Sequence, residues 1–255
     1  MDFTIKIYIQ LIRTVLNSNY SFQTFSDFIE EPKAKSIILR HDVDKLPENS
    51  LKFAMIQNEL TIKGSYYFRA VPQSWNENII KEIADLGHEV GYHYENLDTC
   101  KGDINKAWDD FRYNLDKLRK LVEVKTICMH GSPRSKFDNK DIWKKYDYRS
   151  LDLIGEPYYD VDFDKVFYLT DTGRRWDGWK SSVRDKVPQQ EEWINKGLVF
   201  HSTHDIINAI NKNKLPNCVM FTMHPQRWHP INLRWLKEVI LQNLKNQIKR
   251  IMFVK

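Results

Sequence analysis

The chain of 255 residues is long enough for one large domain or two small ones. Its 42% hydrophobic and 29% charged residues are the proportions of a globular protein that builds a core. The net charge of +5 is mild and spread along the chain, which argues against a nucleic-acid-binding surface and predicts only weak attraction to acidic partners.

Cysteine usage and the N-terminal segment bear on location. Cys100, Cys128 and Cys218 lie far apart and form no CxxC pair, which favours reduced thiols and a cytoplasmic protein. The apolar N-terminal segment has helical spacing and is interrupted by Lys6 and Arg13. It therefore predicts an amphipathic helix rather than a signal peptide or a transmembrane segment.

Apolar runs of strand length alternate with helical patterns along the chain. The runs that predict strands are residues 37–39, 65–69, 88–93, 125–129 and 218–223. The patterns that predict further helices are residues 21–31, 47–60, 76–86, 103–118, 203–212 and 230–248. The last of these helices is expected to turn its apolar side chains inward: Leu233, Leu236, Ile240, Leu244 and Ile248. This alternation predicts an α/β fold with a mainly parallel sheet, as one domain over residues 1–255 with a helical extension at 1–32.

Polar side chains end four of the predicted strands. Asp42 and Asp44 follow the first strand, and they point to the same side because side chains alternate along a strand. His93, His130 and His224 end three other strands. The carboxyl ends of parallel strands meet at one end of the sheet, so we expect these five side chains to converge there.

The composition of this set suits a divalent metal ion. Two carboxylates on one face repel each other unless a cation or a shared proton relieves them. One aspartate and two histidines can bind a zinc-like ion with an open position for water, which leaves the other aspartate as a base. The alternative is structural, since aspartate pairs are common in turns and a single strand-end histidine is usually satisfied by hydrogen bonds.

The motif residues resemble the polysaccharide deacetylase, or NodB-homology, family (carbohydrate esterase family 4). The first family motif is matched by residues 39–44, Leu-Arg-His-Asp-Val-Asp, and the second by the Gly-His-Glu-Val-Gly run at 87–91 that precedes His93. The last motif is matched by residues 220–224, a hydrophobic strand ending in histidine. The resemblance implies an irregular (β/α) barrel of about seven strands. It also implies metal-dependent removal of N- or O-acetyl groups from sugars.

The resemblance implies a role for each matched residue. Asp42 corresponds to the general base and His224 to the general acid. Asp44 and His93 correspond to metal ligands, with zinc as the favoured ion. The polar and aromatic stretch at 171–179 adds Arg174, which is expected to orient the base or to grip an anionic sugar.

Further contacts with a substrate are expected from four side chains in or near the site: Arg175, Trp176, Arg227 and Trp228. The tryptophans would stack on sugar faces. The alternative for the stretch at 171–179 is a surface loop with capping side chains and a packed tryptophan.

Two departures from the family pattern concern the metal ligands. The family usually supplies a second histidine four residues after the first, and here Leu97, which cannot bind metal, stands there. The arginine-proline motif after the fourth strand is replaced by residues 129–133 around His130. We therefore expect His130 to supply the missing ligand, with Glu95 and Asp98 as alternatives.

The expected function is a metal-dependent deacetylase acting on an N-acetylated sugar or glycan precursor in surface-polysaccharide assembly. A nucleotide-linked or lipid-linked sugar suits a cytoplasmic enzyme better than finished cell wall does. Two alternatives stay open. One is an amidohydrolase that cleaves a non-sugar amide, and the other is a catalytically silent glycan-binding domain.

Overall fold

One parallel sheet organises the chain. In the computed structural model, which describes residues 1–132, 135–176 and 187–252, seven strands belong to this sheet. They are β1 (Ser21–Gln23), β2 (Ser36–Val43), β3 (Ser65–Phe68), β4 (Glu89–Tyr94), β5 (Ile127–Met129), β6 (Phe167–Thr170) and β7 (Cys218–Met223). Their order is β5-β4-β3-β2-β7-β6, with β1 paired to the start of β2, and each of these pairings is parallel. The curled sheet forms a half-barrel, so the predicted α/β class and (β/α) barrel architecture are confirmed.

Helices connect the strands and cover the sheet. They are α1 (Ile5–Leu16), α2 (Phe25–Glu30), α3 (Pro47–Glu59), α4 (Glu77–Asp85), α5 (Asn96–Thr99), α6 (Ile104–Arg119), α7 (Pro157–Asp160), α8 (Gln190–Asn195), α9 (Thr203–Asn211) and α10 (Leu233–Met252). The side chains of Asn76 and Asp103 accept backbone hydrogen bonds at the starts of α4 and α6, as their positions in the sequence predict.

The central strands are buried on both faces. All residues of β2 and β3 are buried, as expected for parallel strands with helices outside and side chains filling the interior. Inside the barrel, Gly91 leaves room for the ring of Tyr67, because a Cβ at Gly91 would lie only 2.7 Å from the carbonyl oxygen of Thr126 and still closer to that ring. The Tyr67 hydroxyl forms a 2.8 Å hydrogen bond with the Thr126 hydroxyl, so the glycine permits this packing.

The segment at 21–31 corrects one prediction. The sequence pattern predicts a helix throughout, but the segment begins with β1, which pairs with the edge of β2, and only α2 is helical. The side chain of Thr24 accepts a hydrogen bond from the backbone N–H of Asp27, and the carboxylate of Asp27 accepts one from the backbone N–H of Thr24. This capping box starts the helix at Phe25, four residues later than the apolar pattern alone would place it.

The orientation of the last helix, α10, corrects a second prediction. The apolar side chains of α10 are expected inward, but Leu233 is 83% exposed and Ile240 is 52% exposed. The face towards the body of the protein instead carries Gln242 and Asn246, which are buried, and the Asn246 amide donates a 2.8 Å hydrogen bond to the carbonyl of Gly173. This polar contact fixes the orientation of α10 against its hydrophobic pattern. Within the described ranges, no helix is both long enough and apolar enough to cross a bilayer.

The strand register brings the carboxyl ends together. Asp42 on β2 is level with Tyr67 on β3, and His93 on β4 is level with Cys128 on β5. Asp44 and His130 directly follow β2 and β5. Asp171 and His224 directly follow β6 and β7, and they lie at the same end of the sheet. The site is therefore built on strand ends that the sheet hydrogen bonds hold in register.

Candidate metal centre

Asp44 lies at the centre of the strand-end cluster. Its Oδ1 is 3.7 Å from Nε2 of His93 and 3.6 Å from Nε2 of His130. Its Oδ2 is 3.9 Å from Nε2 of His224 and accepts a 2.9 Å hydrogen bond from the Gln226 amide. Three histidines from the ends of three other strands thus converge on the carboxylate that follows β2, as the parallel-sheet arrangement predicts.

Hydrogen bonds orient the two imidazoles that face Oδ1 of Asp44. Nδ1 of His93 is 2.9 Å from the carbonyl oxygen of Cys128, and Nδ1 of His130 is 2.9 Å from a carboxylate oxygen of Glu95. These oxygens accept hydrogen bonds, so each Nδ1 carries the proton and each Nε2 presents a lone pair. Burial, followed by the proximity of His130, lowers the pKa of His93 well below its usual value and favours the neutral ring.

These donors fit a divalent cation. Oδ1 of Asp44 is buried and accepts no hydrogen bond from the described residues. Burial would raise the pKa of Asp44, but the charge of neighbouring groups, His224 foremost, lowers it below the usual value, which keeps the carboxylate ionised. An ionised oxygen and two imidazole lone pairs that face one another are stable together when a cation lies between them. One carboxylate and two imidazoles are also the ligand types of catalytic zinc sites, which keep a position open.

A second set of ligand-type atoms is less suitable. Asp42, His93 and Cys128 offer atoms that lie within 4.8 Å of one another. However, Nε and Nη2 of Arg40 donate to the two oxygens of Asp42 at 2.8 and 2.6 Å, and both residues are buried. A guanidinium cation on this carboxylate repels a second cation, so Asp44 is the better centre for a metal ion.

The alternatives to His130 have other partners. Glu95 accepts hydrogen bonds from Nε and Nη2 of Arg69 at 2.9 and 2.7 Å, besides its contact with His130. Asp98 accepts a 2.7 Å hydrogen bond from the hydroxyl of Ser135. Leu97 is 5% exposed and belongs to a small apolar cluster. Of the three candidates for the missing ligand, His130 is the one whose side chain faces Asp44.

The ion pair between Arg40 and Asp42 places a carboxylate beside the metal centre. Oδ2 of Asp42 is 3.7 Å from Nε2 of His93, and Asp42 is 3% exposed. Arg40 lies two residues earlier on the same strand and therefore points to the same side of the sheet. The two parallel N–H···O bonds fix the carboxylate plane of Asp42.

His224 has a different set of neighbours. Its Nδ1 is 2.6 Å from Oδ1 of Asp171, and its backbone N–H donates to Oδ2 at 2.8 Å. Asp171, which is fully buried, also accepts hydrogen bonds from Arg227 at 2.9 Å and from the Trp228 indole at 2.7 Å. Burial and Arg227 oppose the charged imidazolium, but Asp171 and Asp44 outweigh them and raise the pKa of His224 above its usual value.

Arg174 does not contact the base as predicted. Its guanidinium donates to the backbone carbonyls of Asp2 at 3.2 Å and Arg227 at 3.5 Å, and it lies over the ring of Phe3. The orientation of Asp42 is provided by Arg40 instead, because an arginine on the same strand reaches the carboxylate directly.

The expected aromatic platform is also not formed by the predicted residues. Trp176 is fully buried and donates a 2.9 Å hydrogen bond to Thr203, and Trp228 is 1% exposed. Neither ring is available to stack on a sugar, because both pack in the core. Arg175 contacts the ring of His201, and Arg227 donates a hydrogen bond to Asp171, so the contacts of these two arginines with a substrate stay predictions. Positions 177–179 of the same stretch lie outside the described residues.

Three functional contacts are absent from the sequence-based prediction. They are the hydrogen bonds between Asp171 and His224, between Arg40 and Asp42, and between Glu95 and His130. Arg40 was detectable in principle, because it alternates with Asp42 along one strand. Asp171 follows an apolar run, as Asp42 does, which is the signal of a strand-end acid.

Comparisons with known proteins give weak matches of one kind. No protein-family model and no curated protein matches the sequence. The structure search finds family 4 carbohydrate esterases, the family that the motif residues resemble. A family 4 carbohydrate esterase from Bacillus anthracis is 14% identical with a TM-score of 0.43, over 98% of this chain and 90% of that one.

Two further matches differ in what is known of their activity. A family 4 pseudoenzyme from Bacillus anthracis is 16% identical with a TM-score of 0.42, over 85% of this chain. This chain spans only 63% of that protein's length. The peptidoglycan deacetylase PdaC from Bacillus subtilis is 13% identical with a TM-score of 0.39, over 87% of this chain and 99% of that one. Because these similarities are low and include a pseudoenzyme, the site's own geometry has to decide the chemistry.

Proposed function

We propose that this protein is a metal-dependent deacetylase that removes an acetyl group from an N-acetylated sugar or glycan precursor used for surface polysaccharide. The proposal depends above all on one observation: Oδ1 of Asp44, which accepts no hydrogen bond from the described residues, faces Nε2 of both His93 and His130. A carboxylate and an imidazole suited to proton transfer lie nearby, with Asp42 beside His93 and His224 beside Asp44. The substrate class follows from the resemblance of the motif residues.

Asp44, His93 and His130 would hold the ion, with zinc favoured by two nitrogen donors and one oxygen donor. When bound, such an ion polarises the acetyl carbonyl and lowers the pKa of water. The proton on Nδ1 of each histidine is held by an oxygen acceptor, so Nε2 is already in the form that binds a metal.

Asp42 acts as the general base. Its carboxylate is oriented by two hydrogen bonds from the buried guanidinium of Arg40. Each carboxylate oxygen has a second lone pair, so Asp42 can accept a proton from the attacking water without releasing Arg40. The 3.7 Å distance from Oδ2 of Asp42 to Nε2 of His93 places this acceptor next to the ligand set.

His224 acts as the general acid. Asp171 holds Nδ1–H, which leaves Nε2 as the atom that gives a proton to the departing amine. The anionic partner keeps the imidazolium populated to higher pH than an ordinary histidine, because it raises the pKa of His224. The acid therefore lies next to Oδ2 of Asp44, and the base lies next to His93, which faces Oδ1.

A cytoplasmic location belongs to the proposal. All three cysteines are free thiols. Reduced cysteines are typical of the cytoplasm, where a nucleotide-linked or lipid-linked N-acetyl sugar is a natural precursor.

The test is acetate release from a panel of acetylated substrates by the zinc-loaded protein. The panel contains N-acetyl sugars that are free, nucleotide-linked and lipid-linked, and also non-sugar acetamides. We expect release from an N-acetyl sugar, and loss of release in Asp42→Asn with metal retained. Release from acetamides alone would favour the amidohydrolase. Sugar binding without release would favour the silent glycan-binding domain.

A further inference from the structure

Helix α10 turns a stripe of apolar side chains away from the protein. Its exposed members are Leu233 (83%), Leu236 (48%), Ile240 (52%), Leu241 (40%), Leu244 (53%) and Ile248 (53%). Most of them follow one another at intervals of three or four residues, so they lie on one face of the helix. A continuous apolar face of this kind on the surface indicates an interaction site.

The opposite face of α10 is held to the body by polar contacts. Gln242 and Asn246 are 6% and 9% exposed, and the Gln242 amide donates to Asn246 at 2.8 Å. Asn246 in turn donates to the carbonyl of Gly173, and the indole of Trp235 donates to the carbonyl of Asp2 at 3.0 Å. Rotating α10 so that the apolar stripe faced inward would break these hydrogen bonds. The rotation would give the polar groups no new buried partners. The stripe is therefore directed outward by the contacts of the helix itself.

The charge of α10 indicates what the stripe meets. The helix sequence contains five basic residues and one acidic residue, Glu238. Arg234, Lys237 and Lys245 are exposed. Lys237 lies four residues from both Leu233 and Leu241 and thus on the stripe, where a lysine can lay its stem along apolar surface and keep its ammonium in a polar layer. An amphipathic helix that combines leucine, isoleucine and lysine in this way suits the interface of a bilayer, and its positive charge selects anionic lipids.

We propose that α10 docks this protein on the surface of an anionic lipid bilayer, with the stripe from Leu233 to Ile248 towards the acyl chains. A second copy of the chain is the other possible occupant. Two copies that pair through this stripe would bring their basic side chains together with only Glu238 from each to offset them, so electrostatic repulsion opposes that pairing. Anionic headgroups, by contrast, complement the helix charge.

The position of α10 connects the docking surface to the strand-end site. Asn246 bonds Gly173, which lies two residues after Asp171, and Asp171 holds His224. Docking through α10 would therefore tether the segment that follows Asp171 to a membrane-bound helix, and a lipid-linked sugar would be presented by the same bilayer. That last consequence rests on the proposed function, whereas binding to vesicles does not.

The experiment is vesicle flotation of the full chain at low and at physiological salt. The vesicles contain either phosphatidylcholine alone or phosphatidylglycerol with phosphatidylcholine. The variants are Ile240→Glu and Leu244→Glu, with Tyr113→Glu as the matched control, because Tyr113 is 69% exposed on α6 and receives the same charge. A third variant, Lys237→Gln/Lys245→Gln, removes two charges from α10 and leaves every apolar side chain of the stripe in place.

We expect binding to phosphatidylglycerol vesicles that weakens with salt, little binding to phosphatidylcholine, and wild-type binding by Tyr113→Glu. Each glutamate in the stripe should weaken binding at least about tenfold, and each lysine removed should weaken it about fivefold at low salt. Three results would overturn the proposal: no flotation of the wild type with anionic vesicles, equal flotation of the wild type and the stripe variants, or a dimer in sedimentation equilibrium that Ile240→Glu dissociates. The lysine variant keeps the test decisive should a glutamate variant fail to fold.

Discussion

Two kinds of histidine surround Asp44, and they differ in what holds Nδ1. On one side, His93 and His130 face Oδ1, with Nδ1 bonded to a backbone carbonyl and to Glu95. On the other side, His224 faces Oδ2, with Nδ1 bonded to the fully buried Asp171. Burial lowers the pKa of His93, whereas the pKa of His224 is raised despite its burial. His93 and His224, two rings of the same chemistry, thus differ in protonation: the surroundings of His93 favour the neutral ring, and those of His224 favour the protonated one.

The difference shows that the partner of a histidine decides its chemistry more than its burial does. His93 and His224 are 2% and 6% exposed, so desolvation acts on both. They differ in the acceptor at Nδ1, which is a neutral backbone carbonyl for His93 and the ionised carboxylate of Asp171 for His224. The predictions below change the two sides one at a time.

The largest effect is expected from Asp44→Ala, because Asp44 is shared by both sides. The substitution removes the only carboxylate that faces His93 and His130 among the described residues, so the protein should retain almost no zinc where the wild type holds about one ion per chain. Activity should fall to background. Metal analysis after gel filtration and the acetate assay measure the two effects. A variant with full zinc content would show that the centre lies elsewhere, with the set of Asp42, His93 and Cys128 as the next candidate.

The second prediction separates the base from the ligands. Asp42→Asn should lower kcat about 10²-fold to 10⁴-fold, the usual contribution of a general base, while zinc content stays at the wild-type value. The amide keeps one acceptor oxygen for Arg40 and loses the charge that takes the proton. Inductively coupled plasma mass spectrometry and steady-state kinetics on the same samples give the two numbers. Joint loss of zinc and activity would instead make Asp42 a ligand.

The fold and the convergence of the strand-end side chains were predictable from the sequence because both follow from local patterns. Apolar runs that alternate with helical periodicity predicted the parallel sheet. The strand-end positions of Asp44, His93 and His130 then predicted a common site. The side chains that meet at Asp44 are therefore set by the strand positions alone, and no long-range information was required to group them.

The partners of those side chains depend on tertiary structure and were not predicted. Asp171 is 53 residues from His224 in the sequence, and Glu95 is 35 residues from His130. The outward orientation of the apolar face of α10 was not predicted for the same reason, because hydrophobic periodicity contains no information about the hydrogen bond from Asn246 to Gly173. The polar and aromatic composition of the stretch at 171–179 favoured Arg174 as the residue that orients the base, although Arg40 alternates with Asp42 along one strand.

The third prediction concerns the acid side. His224 has to be protonated to donate, so activity is lost as pH rises through its pKa. Burial and Arg227 lower this pKa, and Asp171→Asn removes the larger of the two anions that raise it, so that Asp44 alone opposes them. The alkaline limb of the kcat/KM profile should therefore move to lower pH, with a loss of about 10-fold to 100-fold at alkaline pH and no change in zinc content. An unchanged alkaline limb would assign the limb to another group.

The last prediction concerns the metal side and has the smallest expected effect. Glu95 accepts a hydrogen bond from Nδ1–H of His130 and is itself held by hydrogen bonds from Arg69. Glu95→Gln keeps an acceptor oxygen but removes the charge that increases the basicity of the ring, and contacts of this kind typically contribute about 10-fold to 100-fold in metal affinity. The dissociation constant for zinc should therefore rise about tenfold, measured by competition with a chromophoric chelator, and the alkaline limb that Asp171→Asn moves should stay in place. The matched control is Asp98→Asn, since Asp98 also lies just past His93 but bonds Ser135, and it should bind zinc as the wild type does. If Asp98→Asn weakened zinc binding and Glu95→Gln did not, His130 would lose its place as the third ligand, and Asp98 would take it.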